Sequence, residues 1–545
     1  MKERTIDYLK TADKAQLAEV KWLLENPEYE ERPVDIETFV THKYYLGLEF
    51  MTRGKRGFGC RPRVLGRLVD IFDPEKKYEE FVLNCGIGWG KDFTSSIVLC
   101  YQLYRLMVLK NPQSFFGLAP GTSIHLMLMS INESHARDVL FGEVKARMGN
   151  SEWFKRKCKF NPRITTEMQF AKNLYLIPGN SKDTTFVGYN IFTAIIDEGD
   201  DYTVTKTRND AIEGYNAIKD RIVSRFRDRG LLGIIGSPKT IEGFMMNMYR
   251  NSEGTPNRYR VHVPTWDSLL DTGILSGESF KYKELEVPVE YQARFKADPE
   301  RAYRDLGARP SLAKQPFITL DERVDEMFTN KELLFTKKED KVGSFARFTK
   351  NIQGDPKLAY FAHLDLAVNR SKGDRLGFAV GHIAGWETVD SQHKPVVEID
   401  IAMVITAPPG GEIIFSDVKQ LVFFLQDKGF NFKRITSDSW NSVDILQTFR
   451  SRGIFAEIVS VDKTMDPYDK LKEAIYEKRI RCHKYPLLAD ELKRLELVNG
   501  EKIDHEPNFS KDCADAVCGV FFTISKSNTS RILDFSPSFG EEREF

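Results

Sequence analysis

The feature that most constrains this chain is a strand-to-helix turn. The apolar run Glu80-Phe-Val-Leu-Asn84 enters Cys85-Gly-Ile-Gly-Trp-Gly-Lys-Asp-Phe-Thr94, and an apolar helix is expected from Ser95 to Leu106. A glycine-rich turn between a strand and a helix leaves backbone N–H groups facing outward, where they favour an anion. A lysine at the end of such a turn adds a compact cation for the outer groups of a triphosphate. Gly86, Gly88, Gly90 and Lys91 are therefore the candidate phosphate-binding residues. The strict pattern is broken twice, by Cys85 where it wants glycine and by Asp92 where it wants serine or threonine. A carboxylate beside phosphates is repelled unless Mg²⁺ lies between them. Asp92 is thus kept in the site only with a metal, and Thr94 or a water is expected in the hydroxyl role.

A second motif follows on another apolar run, Ile191-Phe-Thr-Ala-Ile-Ile-Asp-Glu-Gly-Asp200. At the end of such a strand the first acid, Asp197, suits the Mg²⁺ shell of a nucleotide, and the second, Glu198, suits polarisation of the attacking water. A third run, Leu231-Leu-Gly-Ile-Ile-Gly-Ser-Pro-Lys-Thr240, ends in Ser237, placed to sense the γ-phosphate. With Ile124–Ser130 and Leu174–Ile177, these short apolar runs between polar helical stretches predict an α/β sheet. Between Arg53 and Arg67 lie Arg53, Lys55, Arg56, Arg61, Arg63 and Arg67 with no acid, read as a mobile cationic stretch that is either a solvated loop or a phosphate contact. Residues 250–350, rich in charge and proline, read as a helical extension and linker.

The second half opens on Leu358–Ala367, the turn Arg370–Asp374, then Gly377–Ile383 and Val396–Ile405, a β-meander. Asp365 stands mid-strand among apolar neighbours, where an unpaired carboxylate is costly. Asp438 ends a later strand, Phe432–Asp438, and Asp512 and Asp515 lie one turn apart in a closing helix, Lys511–Ile524. Acids delivered from separate elements form a set able to hold two Mg²⁺ ions, the arrangement used in phosphodiester cleavage. Asp374 reads either as an auxiliary ligand or as an ordinary turn residue.

Composition narrows the rest. With 79 Lys+Arg against 79 Asp+Glu, no bulk charge draws the chain to a polyanion, so any such site is a local patch. Seven cysteines without a CxxC pair predict a reduced, cytoplasmic chain without a zinc site. The opening residues lack the apolar core of a leader, and no run approaches the roughly 18 apolar residues of a membrane span, so no membrane role is expected.

The order Gly88-Trp-Gly-Lys-Asp92, Ile195-Ile-Asp-Glu198, Gly236-Ser-Pro238, then Asp365, Asp438 and Asp512, resembles the large terminase subunit of tailed bacteriophages over about residues 40–525. The resemblance implies an N-terminal P-loop (ASCE, RecA-like) ATPase domain followed by an RNase H-like nuclease domain. It implies ATP and Mg²⁺ as cofactors, with Mn²⁺ an alternative in the nuclease. Carried over by position, Gly86, Gly88, Gly90, Lys91, Asp92, Thr94, Asp197 and Ser237 bind nucleotide and its metal. Glu198 becomes the hydrolytic base, and Asp365, Asp438 and Asp512 the nuclease centre with Asp515 or Asp374 auxiliary. Expected boundaries are a helical segment 1–52, the ATPase domain 53–310, a linker 311–350, the nuclease domain 351–530 and a flexible tail 531–545. Implied partners are double-stranded DNA, a portal protein, a small terminase subunit and further copies of the chain in a ring on the procapsid. The implied location is the cytoplasm of an infected bacterial host, transiently at the portal vertex. Many relatives carry an arginine inside the loop, where this chain has Ile87 and Trp89, which points to an arginine supplied by a neighbouring subunit, with Arg137, Arg208, Arg221 and Arg225 as unranked candidates. An integrase-like transposase is set aside because such enzymes usually end their acidic set in glutamate and need no ATPase half, and two further rival readings stand beside this one. The first is a helicase-like translocase-nuclease, against which Gln447-Thr-Phe-Arg-Ser-Arg452 fits no second-lobe arginine motif. The second is a non-catalytic DNA-binding assembly protein with a degenerate nucleotide site.

Overall fold

The computed structural model describes residues 14–533 except 52–58, 132–135, 138–139, 160–165, 181–187, 206–207, 335–351, 367–374, 407–412, 439–442, 499–501 and 507–508. The chain divides into two compact units, Met1–Ser311 and Leu312–Phe545.

The first unit is built on a seven-stranded sheet of β1 (Glu80–Cys85), β2 (Ile124–Ser130), β3 (Met168–Phe170), β4 (Leu174–Asn180), β5 (Ile191–Asp197), β6 (Leu231–Gly236) and β7 (Arg258–Val263). Their order is β3-β4-β2-β5-β6-β1-β7, parallel except for β3. Phe81, Leu83, Leu126, Leu128 and Ile195 pack into one layer, and Val82, Met127, Met129, Ala194 and Ile196 into the other. Burial on both faces is why these strands read as unbroken apolar runs. The placement of β6 between β1 and β5 matters most. It sets the loop after β1 and the acids after β5 on either side of the β6 terminus, at the carboxyl edge where open parallel sheets bind ligands.

Two expectations are corrected here. The stretch after residue 250 is not simply a helical extension. Arg258-Tyr-Arg-Val-His-Val263 is the edge strand β7, whose only fully buried side chain is Val261, and a hairpin of β8 (Ser279–Tyr282) and β9 (Leu285–Pro288) follows. The cationic stretch is helical over Pro62–Ile71, with Val64, Leu65, Leu68 and Ile71 in the core, and Arg53, Lys55 and Arg56 lie outside the described residues.

The second unit contains β10 (Phe328–Leu333), β11 (Tyr360–Leu366), β12 (Arg375–Val389), β13 (Gln392–Thr406), β14 (Phe432–Ser437), β15 (Phe455–Ile458) and β16 (Ile480–Lys484), ordered β10-β16-β13-β12-β11-β14-β15. The meander β11–β12–β13 is antiparallel, and β14 and β15 run parallel to β11. A three-strand meander extended from its first strand by parallel strands is the RNase H-like arrangement. The helix Asp512–Leu533 crosses β11, β12 and β13 at close range. A Cβ at Gly377 would stand 1.8 Å from the Asp512 carbonyl oxygen, and one at Gly519 would stand 2.2 Å from the His363 ring. Glycine at both positions lets the helix start over β12 at the residue paired with Asp365 and then pass close over β11.

Part of the stretch expected as a linker, 311–350, belongs to this unit: Phe317, Ile318, Val324 and Met327 are buried in its core, and β10 pairs with β16. Its apolar residues come in pairs and short groups such as Phe317-Ile318 and Met327-Phe328 between charged stretches, too short to read as runs. Of the expected tail, residues 531–533 continue the last helix and 534–545 lie outside the described residues.

Candidate functional site

In the first unit the loop leaves β1 at Cys85, which is fully buried, so the first departure from the strict pattern is a core strand residue rather than a loop residue. Gly90, with φ of 118°, adopts a backbone that side chains resist, immediately before the helix Lys91–Met107. Gly86 is required for a different reason, because a Cβ there would meet the Leu306 carbonyl and the Thr265 hydroxyl, each at 2.4 Å. Asp92 is exposed in the first helical turn. Thr94 is buried, and its hydroxyl donates to the Gly90 carbonyl at 2.9 Å.

Lys91 reaches across the end of β6. Its Nζ is ion-paired with Glu198 and donates to the Ser237 hydroxyl at 2.6 Å. The other Glu198 oxygen accepts the Ser237 N–H at 2.8 Å. Glu198 is held at φ of 50°, in the left-handed region that a non-glycine residue enters at a cost. Three motifs far apart in sequence thus meet in one hydrogen-bonded group. Asp197 is buried beside it, and burial pushes its pKa up to about 7, with Glu198 adding to the shift and Lys91 opposing it. Asp200 plays another part, accepting the N–H groups of Lys239 and Met245 at 2.7 and 2.8 Å.

A cleft of about 560 Å³ opens from the loop, lined by Gly88, Gly90, Lys91, Asp92, Arg61 and Phe93 among others. The loop is braced by residues that the sequence reading missed. Trp89 is fully buried and donates from Nε1 to Asp267 at 3.1 Å, while Thr265 donates to the Ile87 carbonyl at 2.8 Å. Asp267 also faces Arg63 and Arg67. Of the arginines considered for a neighbouring subunit, Arg208 is paired with Asp210 and Glu213 within the chain, and Arg221 and Arg225 lie on the helix Asp210–Phe226.

In the second unit Asp365 comes from β11, Asp438 follows the end of the adjacent β14, and Asp512 and Asp515 come from the first turn of the closing helix. Asp365 is held well above the usual carboxylate range, first by burial and then by the charges of Asp515, Asp438 and Asp512, against which Lys511 acts. Four aspartates from three elements therefore share one field. Burial likewise raises the pKa of Asp512. Asp374 lies outside the described residues.

Asp515 differs from the others. Tyr468 donates to its Oδ1, and Lys511 Nζ approaches the same oxygen at 3.1 Å while also pairing with Asp462. Burial still pushes the Asp515 pKa up to about 7. Glu491, unnoticed in the sequence, is buried beside this group and accepts the Ala514 N–H and the Ser510 hydroxyl, each at 2.9 Å. Burial drives its pKa to about 8. Carboxylate oxygens are the ligand type that hard divalent cations take. Among the described residues, however, no three His, Cys, Asp or Glu side chains stand close enough to hold a metal ion together. Nor, among those residues, is any helix long and apolar enough to cross a membrane.

Comparison with known proteins gives a family model, a relative and two solved structures. A family model described as "Uncharacterized protein MJ0330, N-terminal P-loop domain" matches residues 11–296. The uncharacterized protein MJ0330 of Methanocaldococcus jannaschii is 24% identical over 527 residues, covering 88% of this chain and 86% of that protein. Among solved structures, the HK97 bacteriophage large terminase is 11% identical with a TM-score of 0.39, covering 90% of this chain and 99% of its own. The large terminase nuclease from thermophilic phage G20c is 13% identical with a TM-score of 0.27, covering 37% of this chain and 96% of its own.

Proposed function

From the premise that this chain belongs to the family of the MJ0330 N-terminal P-loop domain, we propose that it is a DNA-packaging motor subunit of the large-terminase kind. It hydrolyses ATP to move double-stranded DNA into a procapsid and cuts concatemeric DNA with a separate nuclease centre. The observation that carries the reading is the Lys91–Glu198–Ser237 group over the end of β6.

Lys91 is ion-paired with Glu198. A triphosphate in the loop offers Lys91 a stronger anionic partner, and Glu198, released from it, is free to accept a proton from water. Ser237 bonds to both residues, so it registers whether the pair is closed or open and carries that difference into the strand-to-loop turn at Gly236–Pro238. Asp197, adjacent and buried, would hold the nucleotide's Mg²⁺.

In the second unit Asp365, Asp438 and Asp512 would hold Mg²⁺ or Mn²⁺ once their side chains draw closer together than they stand in this structure. A divalent ion there supplies activation of water and charge stabilisation on the leaving oxygen. Asp515 is occupied by Lys511 and Tyr468, and its role is to fix the start of the closing helix and so the position of Asp512. The partners of this reading are duplex DNA gripped through its backbone, a portal protein, a small terminase subunit and other copies of the chain in a ring. Its location is the host cytoplasm, transiently at the portal vertex.

The test is a paired assay on duplex DNA with Mg²⁺ or Mn²⁺, following ATP turnover and strand cleavage in the same preparation. Both activities are expected from the wild-type chain. A chain that turns over no ATP contradicts the motor reading, and one that never cuts contradicts the nuclease reading.

A further inference from the structure

The loop has no arginine of its own, yet one lies against it from another element. Arg61 precedes the helix Pro62–Ile71, and its Nη1 donates to the Gly88 carbonyl at 2.9 Å, the Trp89 carbonyl at 2.6 Å and the Ser268 hydroxyl at 2.7 Å. In a trans peptide the C=O and the following N–H point in opposite directions. Holding the Trp89 carbonyl therefore turns the Gly90 N–H away from the guanidinium, and Gly88 and Gly90 both take positive φ values, 87° and 118°, that allow this course. A loop whose carbonyls are gathered onto a cation presents its amide edge to an anion.

The brace is anchored from behind. Ser268, the third acceptor, is fully buried and donates to the Thr265 carbonyl, and the neighbouring Asp267 receives both Trp89 and the arginines of the helix that Arg61 begins. Arg61 also lines the cleft that contains Lys91. Among the described residues its hydrogen bonds run through Nη1.

We propose that Arg61 is a positioning residue of the nucleotide site, setting the Gly88–Gly90 backbone so that the Gly90 amide receives a phosphate, the Trp89 N–H being held by the Gly86 carbonyl at 3.1 Å. This rests on the reading that the loop binds a nucleoside triphosphate. It gives the chain an arginine at the loop without a neighbouring subunit.

The experiment is binding of a slowly hydrolysed ATP analogue, ATPγS, to the full-length wild-type, Arg61→Ala and Arg61→Lys chains, with hydrogen exchange of peptides spanning 86–92 in the nucleotide-free state. Loss of charged hydrogen bonds at the loop is expected to weaken ATPγS binding by about tenfold in Arg61→Ala. Loop amides should exchange faster, and millimolar methylguanidinium should restore part of the affinity. Arg61→Lys keeps the charge but not the planar fork, and is expected to stay weak. It serves as the deciding variant if Arg61→Ala does not fold. Wild-type affinity in Arg61→Lys, or in a folded Arg61→Ala, overturns the proposal. Absence of ATPγS binding in the wild-type chain overturns instead the reading of the loop itself.

Discussion

Two lysines at two helix starts organise the two halves of this chain differently. Lys91 opens the helix Lys91–Met107 and sits on Glu198, the group assigned to chemistry. Lys511 directly precedes the helix Asp512–Leu533 and is paired with Asp462 and Asp515, while Asp365 stays in the field of Asp515, Asp438 and Asp512 with Lys511 opposing them. The first centre is internally neutralised and opens when a ligand competes for its lysine. In the second, burial first and the neighbouring acids next make the Asp365 carboxylate costly to ionise, a cost that protons or cations relieve. One arrangement suits a site that waits for a nucleotide, and the other suits a site that draws in ions.

The largest expected effect separates the two chemistries. Glu198→Gln removes the base and half of the lysine pair, and ATP turnover should fall at least about 100-fold while DNA cleavage in Mn²⁺ stays near wild type. A fall in both activities would break the division between the halves. Asp365→Asn should do the reverse, abolishing cleavage and sparing turnover. Because it removes a carboxyl that burial first and the neighbouring acids next make costly to ionise, it should also raise the melting temperature of the metal-free chain, and a lower one would contradict that cost.

Next in size is Lys511→Met. Removing one partner of a buried pair leaves Asp515 uncompensated, and chemical denaturation should report a loss of about 3 kcal/mol. A neutral result would mean that Lys511 does not hold the acids apart from the ligand set.

The smallest effect concerns protons in the first unit. His125 is stacked between Tyr175 and Tyr189, with ring centroids at 5.2 and 4.3 Å, and burial lowers its pKa to about 4. The unfolded chain, with an ordinary histidine near about 6.5, binds the proton first. Its contribution is therefore nil above that value and increasingly destabilising as pH falls toward 4. His125→Phe keeps the stack, and its stability should lose less than wild type between pH 6.5 and 4. Parallel pH profiles would contradict the assignment.

The sequence showed most clearly what is local or fully buried. Strands β1, β2, β5 and β6 are covered on both faces, so their apolar runs are unbroken, and Lys91, Asp197, Glu198 and Ser237 each follow such a run. The edge strand β7 alternates charge with apolar residues and has one buried side chain, so it reads as polar extension. Arg61 was visible as part of a basic stretch, but its acceptors lie 27, 28 and 207 residues away, and no local pattern points to them. Lys511 and Asp515 have helical spacing, yet their other partners, Asp462 and Tyr468, are 49 and 47 residues distant. Spacing finds a pair along one helix, and only the fold shows that the pair is already satisfied.

One chain holds two separately assembled centres, one with its lysine paired directly to the group assigned to chemistry and one with its lysine paired to Asp462 and Asp515 instead. The most direct test is cleavage of supercoiled plasmid by purified Glu198→Gln chain in Mn²⁺ without nucleotide. The account predicts nicked and linear products at the wild-type rate from a protein that no longer turns over ATP. Intact plasmid, with wild-type chain cutting under the same conditions, would contradict it.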